Sequence, residues 1–158
     1  MKNVKVLILV LMVGLFSLNL SSKLMAHCEI PCGIYGDSTR FVLLEEHIVT
    51  MEKSINKILL ISAAKPLDHN QLHRWIKNKE EHAEKFGHII TQYFMRQRIK
   101  IAKESGKLGN YDPDYVQKLV LLHELYVHSM KVKQTTDLRC IQTLRMILKR
   151  FKILYNNH

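Results

Sequence analysis

The sequence predicts an all-α fold, an antiparallel four-helix bundle that carries a short N-terminal hook. Three observations support this. Apolar residues recur in alternating steps of three and four along four separate stretches, the spacing of one buried stripe on a helix. The chain of 158 residues has only 6 Gly and 3 Pro, too few for the many tight turns of a sandwich or barrel. No strand-like alternation of useful length, internal repeat or low-complexity tract interrupts the pattern. With 47% apolar and 24% charged residues, the chain reads as one globular domain, which excludes disordered and collagen-like classes.

Residues 1–26 are expected to lie outside the folded body. Lys2 and Lys5 precede an apolar run from Val6 to Phe16, and a polar patch leads to Leu24-Met25-Ala26. That order matches a secretory leader cleaved after Ala26, although Leu24 is larger than the preferred small residue. The apolar run is short for a bilayer span and is broken by Gly14, Ser17 and Asn19, which argues against a retained anchor. His27 stands before Cys28 where a lipoprotein would need a small residue. The expected location is therefore exported, periplasmic or secreted, with no stable membrane association after cleavage. Loss of Lys2, Lys5 and Lys23 would lower the formal charge from +10 to +7.

The bundle is expected over residues 37–158. The first helix starts at Asp37-Ser38, either of which could cap it, and its seam runs Phe41, Leu44, Ile48, Met51, Ile55 and Ile58 until Pro66 closes the segment. Asp68 can cap the second, with a seam of Leu72, Ile76, Ala83, Phe86, Ile90 and Tyr93 and one polar break at Lys79. Gly106 and Gly109 end that pattern. Asp112-Pro113 is a third start, an N-cap followed by Pro at the first helical position. Val116, Leu119, Val120, Leu122, Val127 and Met130 make this helix apolar on several sides, as expected for a central place in the bundle or, less commonly, a subunit interface. Thr136 or Asp137 caps the fourth, which continues through Leu138, Ile141, Leu144, Leu148, Phe151 and Tyr155.

The predicted bundle has no Gly-rich phosphate loop, repeated Glu-x-x-His pair or G-x-S-x-G elbow. His123 and His128 are five apart and His82 and His88 six apart, poor spacings for a shared helix face. Cys140, among apolar neighbours, reads as a buried thiol.

The chemistry concentrates in His27-Cys28-Glu29-Ile30-Pro31-Cys32-Gly33-Ile34-Tyr35. Pro31 and Gly33 favour a compact turn that brings two thiols together. Cleavage after Ala26 would free the His27 amine beside the Cys28 amide and thiolate, forming adjacent five-membered chelate rings. The Cys32 thiolate can complete a square of two nitrogens and two sulfurs, with the His27 imidazole along the axis. Such a set favours nickel(II) or copper(II), whereas zinc prefers a tetrahedron. A Cys28–Cys32 disulfide, and zinc bound with His27, stay open as alternatives.

The run closely resembles the nickel hook of nickel-containing superoxide dismutases, H-C-x-x-P-C-G-x-Y, and weaker similarity extends over most of residues 27–158. The resemblance implies disproportionation of superoxide to oxygen and hydrogen peroxide, one nickel ion per subunit and assembly as a homohexamer. It implies metal ligation by His27, Cys28 and Cys32, with Tyr35 lining the substrate approach and Tyr93 behind it. A first-helix glutamate would orient the axial His27. Glu45 and Glu46 both compete for that role, and Glu45 is the choice carried forward. The arginine that supports the axial histidine in some members has no clear match, with His82 near the corresponding region, and the second-helix match needs a gap of about one helical turn. Two rivals stand beside this reading. One is a non-enzymatic secreted helix bundle closed by a Cys28–Cys32 disulfide. The other is nucleic-acid binding, which the charge suggests but no recognition-helix motif or stacking aromatic series supports.

Overall fold

The computed structural model describes residues 36–101 and 111–156. The expected leader of residues 1–26 and the expected hook with His27, Cys28, Cys32 and Tyr35 lie outside the described residues. Four α-helices are found among those described: α1 (Asp37–Ala63), α2 (His69–His88), α3 (Pro113–Gln134) and α4 (Leu138–Asn156). A π-helix, Ile89–Arg98, continues α2 without a break. Among the described residues there is no strand, and no helix is long and apolar enough to cross a membrane.

The helices close a ring in which α1 packs on α2 and α4, and α3 packs on the same two. Their directions follow from the residues that meet. Phe41 touches Phe94, His47 meets His82, and Ser54 accepts from Asn78 Nδ2, so numbering rises on α1 as it falls on its partner. Glu45 with Lys152 and Glu52 with Arg145 run α1 against α4 in the same sense. The arrangement is the antiparallel four-helix bundle that the seams predict.

All six seam residues named for α1 are buried, from Phe41 to Ile58. The first five, Phe41 to Ile55, join Phe86, Ile90 and Phe94 from the second helical stretch, Leu122 and Leu125 from α3, and Ile141, Leu144, Leu148 and Phe151 from α4 in one core. Fully burying side chains of this size contributes about 1.5–3 kcal/mol each. Asp68 caps α2 as expected, accepting from Gln71 N at 3.0 Å. Asp112 caps α3, accepting from Asp114 N at 2.8 Å, with Pro113 as the first helical residue. Asp137 accepts from Arg139 N at 2.9 Å at the start of α4.

Three expectations need correction. Gly36 is the N-cap of α1 and contributes no side-chain bond. Asp37 is therefore not a cap; its carboxylate points to other elements. The α3 helix is not central, because only Leu121, Leu122, Leu125, Ser129 and Val132 are buried while Val116, Val120 and Met130 face outward. Cys140 is a free thiol that is half-buried at the edge of the core. Lys79 fits its apolar seam because its buried ammonium donates to the carbonyls of Lys133 at 2.9 Å and Thr135 at 3.0 Å. Those carbonyls lie at the C-terminal end of α3, where a helix leaves acceptors without intrahelical partners.

Candidate metal centre and its surroundings

The predicted hook ends at Tyr35, one residue before Gly36. Whatever fixes the first turn of α1 therefore fixes the end from which the hook departs. Gly36 is extended (φ −84°, ψ 141°), and α1 begins at the next residue.

Asp37 gathers three side chains from two other elements. Tyr93 Oη donates to Asp37 Oδ1 at 2.5 Å, and Arg98 Nε lies 2.8 Å from the same oxygen. Tyr155 Oη, from the last turn of α4, donates to Oδ2 at 2.9 Å. Arg98 also donates to the Tyr93 oxygen, from Nε at 3.0 Å and from Nη2 at 2.8 Å. The Tyr93 hydroxyl thus gives its proton to the carboxylate and accepts from the guanidinium. Hydrogen bonds to a charged partner contribute about 1.5–3 kcal/mol each, and partial exposure of Asp37 and Arg98 places these toward the lower end.

The titration behaviour follows. Burial pushes Asp37 upward, but the two tyrosine bonds and the Arg98 charge outweigh it and hold the carboxyl below its usual range. Burial, then the bond to Asp37, raises Tyr93, and the same two causes raise Tyr155. Both tyrosines are neutral phenols at ordinary pH.

The π-helix makes the Tyr93–Arg98 pairing possible. In an α-helix, residues five apart point about 140° away from each other. Here Ile99 N donates to Phe94 O at 2.9 Å, an i→i+5 bond, and the wider turn brings Arg98 back over Tyr93. The floor beneath is aromatic. Phe94 stacks against Phe41, Phe151 and Tyr155 with centroids 4.9, 5.1 and 5.5 Å apart. Two guanidinium groups stand by the Tyr93 ring, Arg98 at 4.9 Å and Arg40 at 5.4 Å from its centroid.

Of the other predicted residues, Glu45 is exposed two turns along α1 and pairs with Lys152 Nζ at 3.0 Å. Glu46 is exposed on the same helix. His82 meets His47 instead of His88, with Nδ1 to Nδ1 at 3.0 Å and the rings edge-on. One proton bridges them, so one ring donates and the other accepts. Burial first, then the charges of His82 and Lys85, push His47 down to about 4. His47 also lines a groove between α1 and α2 with Arg40, Leu43, Lys85 and His88.

Among the described residues no three His, Cys, Asp or Glu side chains converge as a metal site. The sequence reading brought Tyr93 forward and missed Asp37, Arg98, Tyr155 and His47. Asp37 was legible as a helix start, but its three partners are 56, 61 and 118 positions away, beyond any local signal.

Comparison with protein-family models matches residues 22–158 to the model described as nickel-containing superoxide dismutase. No curated protein and no solved structure gives a significant match.

Proposed function

The chain belongs to the nickel-containing superoxide dismutase family and is a nickel-dependent superoxide dismutase, and from that premise we propose that its metal is held by the processed N-terminal hook. The observation that carries the reading is the His27–Tyr35 run, which supplies the required donors within six positions, at His27, Cys28 and Cys32, and ends one residue before the N-cap of α1. The His27 amine and imidazole, the Cys28 amide and thiolate and the Cys32 thiolate would hold the ion. This strongly donating nitrogen and sulfur set fits nickel and favours its higher oxidation state. When bound, nickel supplies one-electron chemistry between its +2 and +3 states, enough to oxidise one superoxide and reduce the next.

The chain's own residues supply access, orientation and charge. Tyr35 and Tyr93 would line the approach to the hook. Arg40, beside the Tyr93 ring, would add positive charge near the approach of a small anion and so raise its encounter rate, whereas the Arg98 charge is balanced by Asp37. Glu45 is proposed to orient the His27 imidazole while its carboxylate also holds Lys152. The family membership displaces the rival of a non-enzymatic secreted bundle.

Assembly as a homohexamer is part of the same proposal. The outward apolar residues Val116, Val120 and Met130 of α3 give a surface suited to contact between copies. Export, followed by cleavage after Ala26, would supply the free amine; the order of positive, apolar and polar stretches ending at Ala26 supports it.

Protein isolated after maturation should begin at His27 and carry nickel near one equivalent per chain. Cys28→Ser and Cys32→Ser should each lose nickel and dismutase activity together, and one Ala inserted before His27 should do the same by displacing the amine. Full activity in both cysteine variants, or in a chain still carrying residues ahead of His27, would refute the hook as catalyst.

A further inference from the structure

We propose that Asp37, Arg98 and Tyr155 are positioning residues that lock Tyr93 and the first turn of α1 into one unit, and so fix the root of the hook. This inference rests on the hook being the metal centre. Three observations support it.

The first is chain distance. Cys32 lies five residues before Asp37 and Tyr35 only two. At about 3.5 Å per residue, those separations reach no more than about 18 and 7 Å. The ligand Cys32 and the approach residue Tyr35 therefore lie within a short reach of Asp37 along the chain.

The second is connectivity. The carboxylate is held from both sides, Oδ1 by Tyr93 and Arg98 from the π-helix and Oδ2 by Tyr155 from α4. The start of α1 is thereby pinned to two separate elements. Tyr93 is itself buried, at 4% exposure, and its hydroxyl is oriented by Asp37 and Arg98 together. Loss of the carboxylate would free the phenol to rotate and leave the Arg98 charge without its counter-charge.

The third is the helix type. The i→i+5 turn aligns Arg98 with Tyr93, and π-helical turns tend to occur at functional sites. A cluster serving stability alone would not need this departure, since the Phe41, Phe94 and Phe151 core beneath is already packed.

The test compares the unsubstituted protein with Asp37→Asn, Tyr93→Phe, the double variant and Tyr155→Phe. Two readouts are independent of each other. Hydrogen exchange of the amides of residues 40–44, the first to be bonded within α1, in nickel-free protein reports whether the root is pinned. Nickel content, the nickel–sulfur absorption band and kcat/KM of loaded protein report what the pinning does for the metal centre. In Asp37→Asn the exchange should speed up by about tenfold or more. Nickel should stay bound, the absorption band should shift, and kcat/KM should fall by about 10- to 100-fold, the usual cost of losing support behind a metal site. Asp37→Asn and Tyr93→Phe should be non-additive in kcat/KM, because the first removes the charge that strengthens the Tyr93–Asp37 bond and the second removes that bond outright. Tyr155→Phe, which keeps that bond, should give a smaller effect of the same kind. The proposal is overturned if Asp37→Asn matches the unsubstituted protein in exchange, absorption band and kcat/KM, or if the two effects simply add. An unsubstituted protein that binds no nickel would refute the proposed hook instead, while the exchange measurement would still decide whether these side chains pin the start of α1.

Discussion

Replacing His47 by Gln should make the bundle more resistant to acid. His47 and His82 face each other with 3.0 Å between their Nδ1 atoms, and Lys85 adds a positive charge nearby. Glu81 is the one acidic neighbour that favours charging of His82, and it does not outweigh burial and Lys85. With His47 at about 4 in the folded protein and 6.5 when exposed, the unfolded chain takes up a proton that the folded chain refuses. Stability is therefore present above pH 6.5 and is lost as pH falls toward 4. At roughly 1.4 kcal/mol per pH unit the full difference is about 3 kcal/mol, and solvent screening of a half-buried ring leaves about 1–2 kcal/mol. At pH 4.5 about 1 kcal/mol of this should be visible. The assay is urea unfolding followed by helical circular dichroism at pH 7.5 and 4.5, for both proteins. Acid effects on the hook are common to the two and cancel in the difference. From pH 7.5 to 4.5 the unsubstituted protein should lose about 1 kcal/mol more than His47→Gln. Parallel losses, agreeing within about 0.3 kcal/mol, would refute the reasoning that burial and Lys85 keep the pair from charging.

Two further predictions concern the packing of the bundle. Lys79→Met keeps most of the volume but removes the two bonds to the Lys133 and Thr135 carbonyls, so urea unfolding should show a loss of about 2–3 kcal/mol. Gly87→Ala places a Cβ 3.2 Å from the Tyr126 ring, which is exposed and can move aside. The gain in helix propensity, about 1 kcal/mol, should then exceed the cost of that shift, and thermal unfolding should move to slightly higher temperature.

The parts legible in the sequence are those governed by neighbours a few residues apart. The step-three, step-four seam of α1 placed six residues correctly in the core because a helix returns to the same face within that spacing. Asp68 and Asp112 were legible as caps for the same reason, since a cap reaches only two or three residues ahead. Asp37 has the same residue type at the same kind of position, yet its carboxylate serves three distant donors. Nothing local separates these two uses of an aspartate. Lys79 shows the converse, a break in an apolar seam whose explanation lies 54 and 56 residues away. The His47–His82 pair was hidden because a search for histidines at helical spacing cannot see two rings on facing helices. The π-helix was concealed because Ile90 and Tyr93, buried within it, also keep the apolar phase of an ordinary α-helix.

The division of labour between hook and bundle follows from size. Ordering a backbone costs about 1–2 kcal/mol per residue, so a hook the length of residues 27–35 must offset about 10 kcal/mol or more. A segment that short cannot bury a core of its own. Under the proposed ligation, donors clustered between His27 and Cys32 would place most of that burden on the metal, because binding energy becomes folding energy at such a site. What the metal cannot supply is a fixed direction relative to the approach path. That direction must come from where the chain leaves the bundle. At this end of the bundle, an aromatic floor carries Tyr93 and Tyr155, those two tyrosines and Arg98 hold Asp37, and Asp37 opens the helix that the hook enters. A chain with the same nine hook residues on a start of α1 that lacked these contacts should still take up nickel, yet hold it in a looser and less uniform environment.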